Sequence, residues 1–334
     1  MADFVSLGRS GLKVSPICLG TMNFGNEQWG CDEPTSAKII DAYLGVGNNF
    51  IDTANVYAGG RSEEIVGRII ASRRDDVVLA TKGFNPADGP GPNNWGNTRA
   101  NLTRSLENSL RRLGTDYVDL YQCHSWDPTT PVEETMATLD SFVRDGKVRY
   151  IGCSNWLASQ IVEGQTAARL AASTPLVSLQ PQYSLIVRDI EIDILPTAKR
   201  HGLGVIVWSP LGGGLLTGKH SKDKAATDSR FDKVAEGDIW ELLKRSLFTD
   251  RNFEIVDKLG EVAKTLGTTH TAVAVAWALA QDGVTSAIIG PRTVEQLEDN
   301  LVAGEIHLGA ELLKELDRAS RTPLTYAGFL QRGR

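Results

Sequence analysis

Eight short runs of β-branched and apolar residues, separated by longer stretches of helical periodicity, constrain this 334-residue chain more than any other feature. The runs are 16-PICLG-20, 49-NFIDT-53, 77-VVLAT-81, 117-YVDLYQCH-124, 148-VRYIGCS-154, 176-LVSLQ-180, 204-GVIVWS-209 and 286-SAIIG-290. Between them, residues 98–113 carry Leu102, Leu106, Leu110 and Leu113 as one stripe, and residues 35–46, 63–72, 131–145 and 157–171 behave similarly. Strand and helix in alternation are the signature of βαβ units and a parallel sheet. No break in composition divides the chain, so the pattern predicts one (β/α)8 barrel, the TIM-barrel fold, over residues 1–334; a doubly wound open sheet is the alternative.

Three additions to the barrel are expected. Residues 4–15 form an N-terminal β-hairpin closing one end, and residues 212–253, after the seventh strand, make a long functional loop over the active face. After the eighth strand comes an amphipathic helix at 310–320, then a tail at 321–334 that covers a pocket or frays.

Composition narrows the function by exclusion. A net charge of −6 without any Lys/Arg-rich run argues against a nucleic-acid partner. The N-terminal segment lacks a basic region followed by an apolar one, and no stretch approaches eighteen uncharged apolar residues, so a cytoplasmic protein without a membrane partner is expected. The four cysteines, Cys18, Cys31, Cys123 and Cys153, form no C-x-x-C pair, and three sit in strand runs where they would pack. Cys123 and His124 point to opposite faces of a strand and cannot readily share an ion, so no metal is expected.

Barrel chemistry sits where strands end, and the strand ends here form a set. Strand two delivers Asp52 with Tyr57 five residues on, strand three Lys82, strand four His124, strand five Ser154 and Asn155, strand six Gln180, and strand seven Trp208; Arg292 follows strand eight. A closed barrel brings Asp52, Tyr57, Lys82 and His124 to one rim. A phenol is a weak acid at neutral pH, and an adjacent ammonium lowers its pKa. Lys82 would be that ammonium, held and kept protonated by Asp52, while His124 hydrogen-bonds a substrate oxygen. No nucleophile stands beside a base.

The segments 51-IDTANVYAGG-60, 62-SEEIVG-67, 81-TKGF-84, 117-YVDLYQCH-124, 151-IGCSN-155, 205-VIVWSPLGGG-214 and 289-IGPRTVEQLEDN-300 together resemble the aldo-keto reductase superfamily, its bacterial branch in particular, over residues 4 to 320. They are also similar to potassium-channel β subunits. The resemblance implies that Asp52, Tyr57, Lys82 and His124 are the catalytic tetrad and that NADP(H) is the cofactor. It implies that Ser154, Asn155 and Gln180 hold the nicotinamide carboxamide, and that Trp208 stacks on the ring. The loop with Ser209, Leu211 and Gly213 would cover the pyrophosphate. Arg292, with Thr293, Gln296 and Asn300, would hold the adenosine 2'-phosphate, ribose and adenine; Asp299 stands where the family often has Glu.

Two motif alternatives fail. 213-GGLLTGK-219 approaches a phosphate loop of the NTPase kind, but His220 replaces the Ser/Thr that would bind Mg²⁺. A short-chain dehydrogenase needs Tyr-x-x-x-Lys on one helix, whereas Arg61 is four residues after Tyr57 and Lys82 is 25 after it. The expected activity is therefore NADPH-dependent reduction of an aldehyde or ketone by reversible hydride transfer, with Tyr57 as general acid; the alternative is a cofactor-binding redox sensor of low turnover. Trp29, Trp95, Trp126 and Trp156 follow strands one, three, four and five and would line an apolar substrate pocket, favouring a bulky, cyclic or aromatic carbonyl.

Overall fold

Side-chain alternation along the strands decides what enters the barrel. In the computed structural model, which describes residues 4–86, 89, 91–222, 224–227, 229, 231–232 and 239–322, eight parallel strands close into a barrel. They are β3 (Ile17–Gly20), β4 (Phe50–Asp52), β5 (Val78–Gly83), β6 (Val118–Cys123), β7 (Val148–Ser154), β8 (Leu176–Gln180), β9 (Gly204–Val207) and β10 (Val284–Ile289). Closure is made by β10 on β3, in the register Ala287↔Ile17 to Ile289↔Leu19. All eight expected strands are present, which establishes the expected fold.

On β4, β5 and β6, Phe50, Val78, Ala80 and Leu120 point inward and pack with Leu7, Val14, Cys18 and Ile206. Their neighbours Ile51, Leu79, Tyr121 and Cys123 point outward into the core shared with the helices. Each fully buried Leu, Ile, Val or Phe contributes roughly 1.5–3 kcal/mol. The inward parity continues upward to Asp52, Lys82 and Gln122, all buried. The barrel interior is thus apolar at its floor and polar near its mouth.

The floor is closed by the N-terminal hairpin, β1 (Val5–Ser6) on β2 (Lys13–Val14). Its turn lies flat against the barrel because Gly8 adopts φ +58° and a Cβ there would meet Gly204 N at 2.4 Å. The helices sit outside. The leucine stripe predicted at 98–113 forms α3 (Arg99–Leu113), with Thr98 capping the N-terminus by accepting a hydrogen bond from Asn101 N, a contact worth about 1 kcal/mol. The other helices are α1 (Glu33–Gly45), α2 (Arg61–Ile70), α4 (Val132–Arg144), α5 (Ala158–Leu170), α6 (Ile194–His201), α7 (Ile239–Leu247), α8 (Asp250–Leu266), α9 (His270–Leu279), α10 (Val294–Leu301) and α11 (Ala310–Ser320).

The excursion after β9 carries more structure than a loop. Residues 212–253 include a 3₁₀ segment (Gly212–Thr217), all of α7 and the start of α8. Helix α9 gives no amphipathic stripe in the sequence because eight of its residues, Thr271 to Ala278, are buried on every side. Among the described residues no helix is long and apolar enough to cross a membrane. The expected tail lies outside the described residues from 323 onward.

Candidate active site

Asp52 and Lys82 reach the mouth from adjacent strands, β4 and β5. Tyr57 is presented by a 3₁₀ turn (Tyr57–Gly60) in which Ala58, Gly59 and Gly60 all take positive φ, +49°, +65° and +95°. Those three residues reverse the chain so that α2 can start at Arg61 while the phenol hangs over the barrel. Ala58 is in the left-handed region without the freedom of glycine, a strained conformation of the kind found at working sites.

The Lys82 ammonium spends its three protons inside this site. Nζ donates to Asp52 Oδ1 at 2.5 Å, to the Thr53 carbonyl at 2.9 Å and to the Tyr57 hydroxyl at 3.1 Å. Asp52 Oδ2 accepts from Gln180 Nε2 at 2.9 Å and from Gln122 Nε2 at 3.3 Å. His124 stands edge-on to Tyr57, ring centroids 5.9 Å apart at 80°. Its Nδ1 is buried without a hydrogen-bond partner.

Burial works against the Lys82 charge, but Asp52 and then Tyr57 outweigh it and hold the pKa above the ordinary lysine value. The phenol departs from expectation. Burial is the largest influence on Tyr57 and raises its pKa; Lys82 pulls it down, as the strand-end pattern predicts, without overcoming burial and Asp52. The Tyr57 hydroxyl is therefore protonated at neutral pH, with the Lys82 ammonium beside it. Burial, and secondly Lys82, push the His124 pKa down to about 3, so the imidazole is neutral.

A cavity of about 570 Å³ runs from this cluster to α10. Asp52, Tyr57, His124, Ser154, Asn155, Gln180, Trp208, Ser209, Leu211, Gly213, Arg292, Gln296 and Asn300 all border it, together with Trp29 and Lys219. Several of these side chains also hold one another. Ser154 Oγ donates to the Gln180 carbonyl at 2.7 Å. Asn155 donates to the His124 carbonyl and accepts from Trp208 Nε1, each at 3.0 Å, and so ties the indole to the backbone at His124. Ser209 Oγ accepts from Gly213 N at 2.8 Å, where Gly212, Gly213 and Gly214 take φ of +56°, +66° and +104°. Arg292 donates from Nη1 to the Trp29 carbonyl at 3.3 Å, and its own N–H is accepted by Gln296 Oε1.

The indole expectation needs correction. Trp29 borders the cavity, but Trp156 is fully buried, packed edge-to-face at 4.8 Å with Trp126. Trp126 lines a separate groove between α4 and α5, and Trp95 is exposed, resting on Phe84. Position after a strand sets the height of a side chain but not its direction. Gln122, unnoticed in the sequence, was two residues before His124 and hence at an inward position on the same strand. Lys219, at the end of the glycine-rich run 213-GGLLTGK-219, also borders the cavity. Cys18, Cys123 and Cys153 are buried thiols, each with its pKa raised chiefly by burial, and Cys31 is half-buried. Among the described residues no group of three or more His, Cys, Asp and Glu can hold a metal ion.

The model of the aldo/keto reductase family matches residues 16–321. The chain belongs to that family. It is 41% identical to an uncharacterized oxidoreductase, YrpG, of Bacillus subtilis (strain 168), over 97% of this chain and 99% of the relative. It is 39% identical to a probable voltage-gated potassium channel subunit beta of Arabidopsis thaliana, over 91% and 92%. It is 36% identical to the norsolorinic acid reductase of Aspergillus flavus, over 93% and 79%. This aldo-keto reductase is an oxidoreductase acting on carbonyl and alcohol groups.

The lowered His124 pKa carries a sign. The native protein declines a proton that the unfolded chain binds below about pH 6.5, so this contribution to stability is present above that pH and is lost as pH falls toward 3. Thermal midpoints between pH 7 and pH 4 should fall less steeply in His124→Gln than in wild type; equal slopes would show that His124 is not buried neutral.

Proposed function

We propose that this aldo-keto reductase reduces aldehydes or ketones with NADPH, Tyr57 giving the proton to the carbonyl oxygen. The observation that carries this reading is the buried Lys82 ammonium 3.1 Å from the Tyr57 hydroxyl, at the end of a cavity that continues to Arg292.

The donor set suits an extended dinucleotide. The half-buried Trp208 indole borders the cavity beside the tetrad, the left-handed glycine turn after it suits a pyrophosphate, and Lys219 and Arg292 are cations farther along. A guanidinium matches a phosphate because its donors form a planar fork, which favours the 2'-phosphorylated cofactor at Arg292. A reduced nicotinamide held there would supply the hydride for the carbonyl carbon. Tyr57 donates its proton to the oxygen, and Lys82 stabilises the phenolate that remains. His124, neutral, orients the carbonyl by hydrogen bonding and does not compete as an acid. In the reverse direction the phenolate takes up the alcohol proton, so rising pH favours oxidation.

Of the four indoles expected around the substrate only Trp29 borders the cavity, and its carbonyl accepts from Arg292 at the far end, so the proposed substrate class is an aldehyde or ketone without the expected preference for a bulky, cyclic or aromatic one. A second reading, a cofactor-binding sensor of low turnover, draws support from the likeness to potassium channel β subunits. NADPH consumption against a carbonyl panel separates the two.

Tyr57→Phe should lower the reduction rate by roughly 10²- to 10⁴-fold with NADPH binding changed only a few-fold; retention of more than about a tenth of the rate, with chemistry limiting, rejects the assignment. Arg292→Ala should raise KM for NADPH far more than for NADH, and equal effects would remove Arg292 from the phosphate site.

A further inference from the structure

Gln122 stands where a (β/α)8 barrel ordinarily places a branched apolar side chain. It lies on β6 in register with Lys82 on β5 and Gly152 on β7. Its side chain is completely buried and, unlike Gln180, does not border the cavity. Nε2 is 3.3 Å from Asp52 Oδ2, while Oε1 has no hydrogen-bond partner. Turning the amide over would set Oε1 against the carboxylate, so the donor orientation is the favourable one. Gly152 leaves the space: a Cβ there would lie 2.1 Å from Ser178 Oγ and 3.3 Å from Gln122 Cγ. A buried amide with an unsatisfied acceptor is a costlier occupant than leucine, and what it gains in exchange is the contact with Asp52.

We propose that Gln122 is a positioning residue for the proton donor, acting through Asp52. By holding Oδ2 it draws carboxylate charge away from Tyr57 and leaves Lys82 as the dominant charge at the phenol. This inference rests on the reading of Tyr57 as the proton donor and deepens it. The titratable groups facing Tyr57 are Lys82 from β5, Asp52 from β4, Cys18 from β3 and His124 after β6. Burial keeps the Cys18 thiol and the His124 imidazole neutral near pH 7. The balance at the phenol is therefore between Lys82, which lowers its pKa, and Asp52, which raises it. Gln180 donates to the same oxygen but also faces the cavity, so its replacement would disturb the cofactor site as well.

Gln122→Met and Gln122→Leu remove the donor and leave side chains that a barrel layer accepts. Two titrations apply: single-turnover alcohol oxidation at saturating NADP⁺ against pH, and ¹³C NMR of labelled tyrosine in the cofactor-free protein, with Tyr57 assigned by its loss in Tyr57→Phe. Both variants should move the Tyr57 midpoint and the kinetic step to higher pH by ~0.5 unit or more. The cofactor Kd should stay within about twofold of wild type and the thermal midpoint should be unchanged or higher. Unmoved midpoints, or a drop in thermal stability alone, overturn the proposal. Should the kinetic step persist in Tyr57→Phe, the proton-donor reading itself fails; should it vanish there yet stay put in the Gln122 variants, only the role of Gln122 fails.

Discussion

The ion pair between Lys82 and Asp52 is the constraint on which the site depends. Both side chains are withdrawn from water, Lys82 completely, and an isolated ammonium at that depth would be strongly disfavoured. It is tolerated because every proton has an acceptor and both carboxylate oxygens have donors. Those partners come from β4, β5, β6, β8 and the turn after β4, so the pair is satisfied only when the sheet has curled round far enough to bring them together. Barrel closure and charge placement are therefore one event, and the phenol is held by the same ammonium that the closure buries.

The two ends of the barrel divide the work. At the floor, the hairpin and the inward Phe50, Val78, Leu120 and Ile206 exclude water, and Gly8 against Gly204 lets backbone lie on backbone. At the mouth the chain departs from easy geometry. Of the four non-glycine residues with positive φ among the described residues, Ala58, Asn155 and Ser209 belong to the segments that carry Tyr57, His124's carbonyl partner and the glycine turn. Strain gathered at the mouth is sustained by the apolar floor and the helical jacket beneath it.

Much of this was legible in the chain. Strand parity is local, so the inward sequence Phe50, Asp52 and Val78, Ala80, Lys82 follows a period of two, and strand-end position together with the family resemblance pointed to Asp52, Tyr57, Lys82 and His124. The strand and helix boundaries fall within a few residues of the hydrophobic periods that announced them. The helix α9 was illegible for the opposite reason: buried on all sides, it has no polar face to mark a period. Helix α7, within the long excursion, was hidden by the length of its surroundings.

The sequence by itself determined the alternation of strand and helix, the polarity of each strand's upper end, and the residue types at the rim. Tertiary structure decided what those residues became. Gln180 is 128 positions from Asp52 and Gln122 is 70, and no local period states that both amides meet one carboxylate oxygen. The net upward shift of the Tyr57 pKa, against the pull of Lys82, depends on burial that exists only once the barrel has closed. Trp126 and Trp156 face each other away from the cavity because loop direction is set by packing against α4 and α5. Parity is a property of a bonded chain; burial and cross-strand contact are properties of its closure.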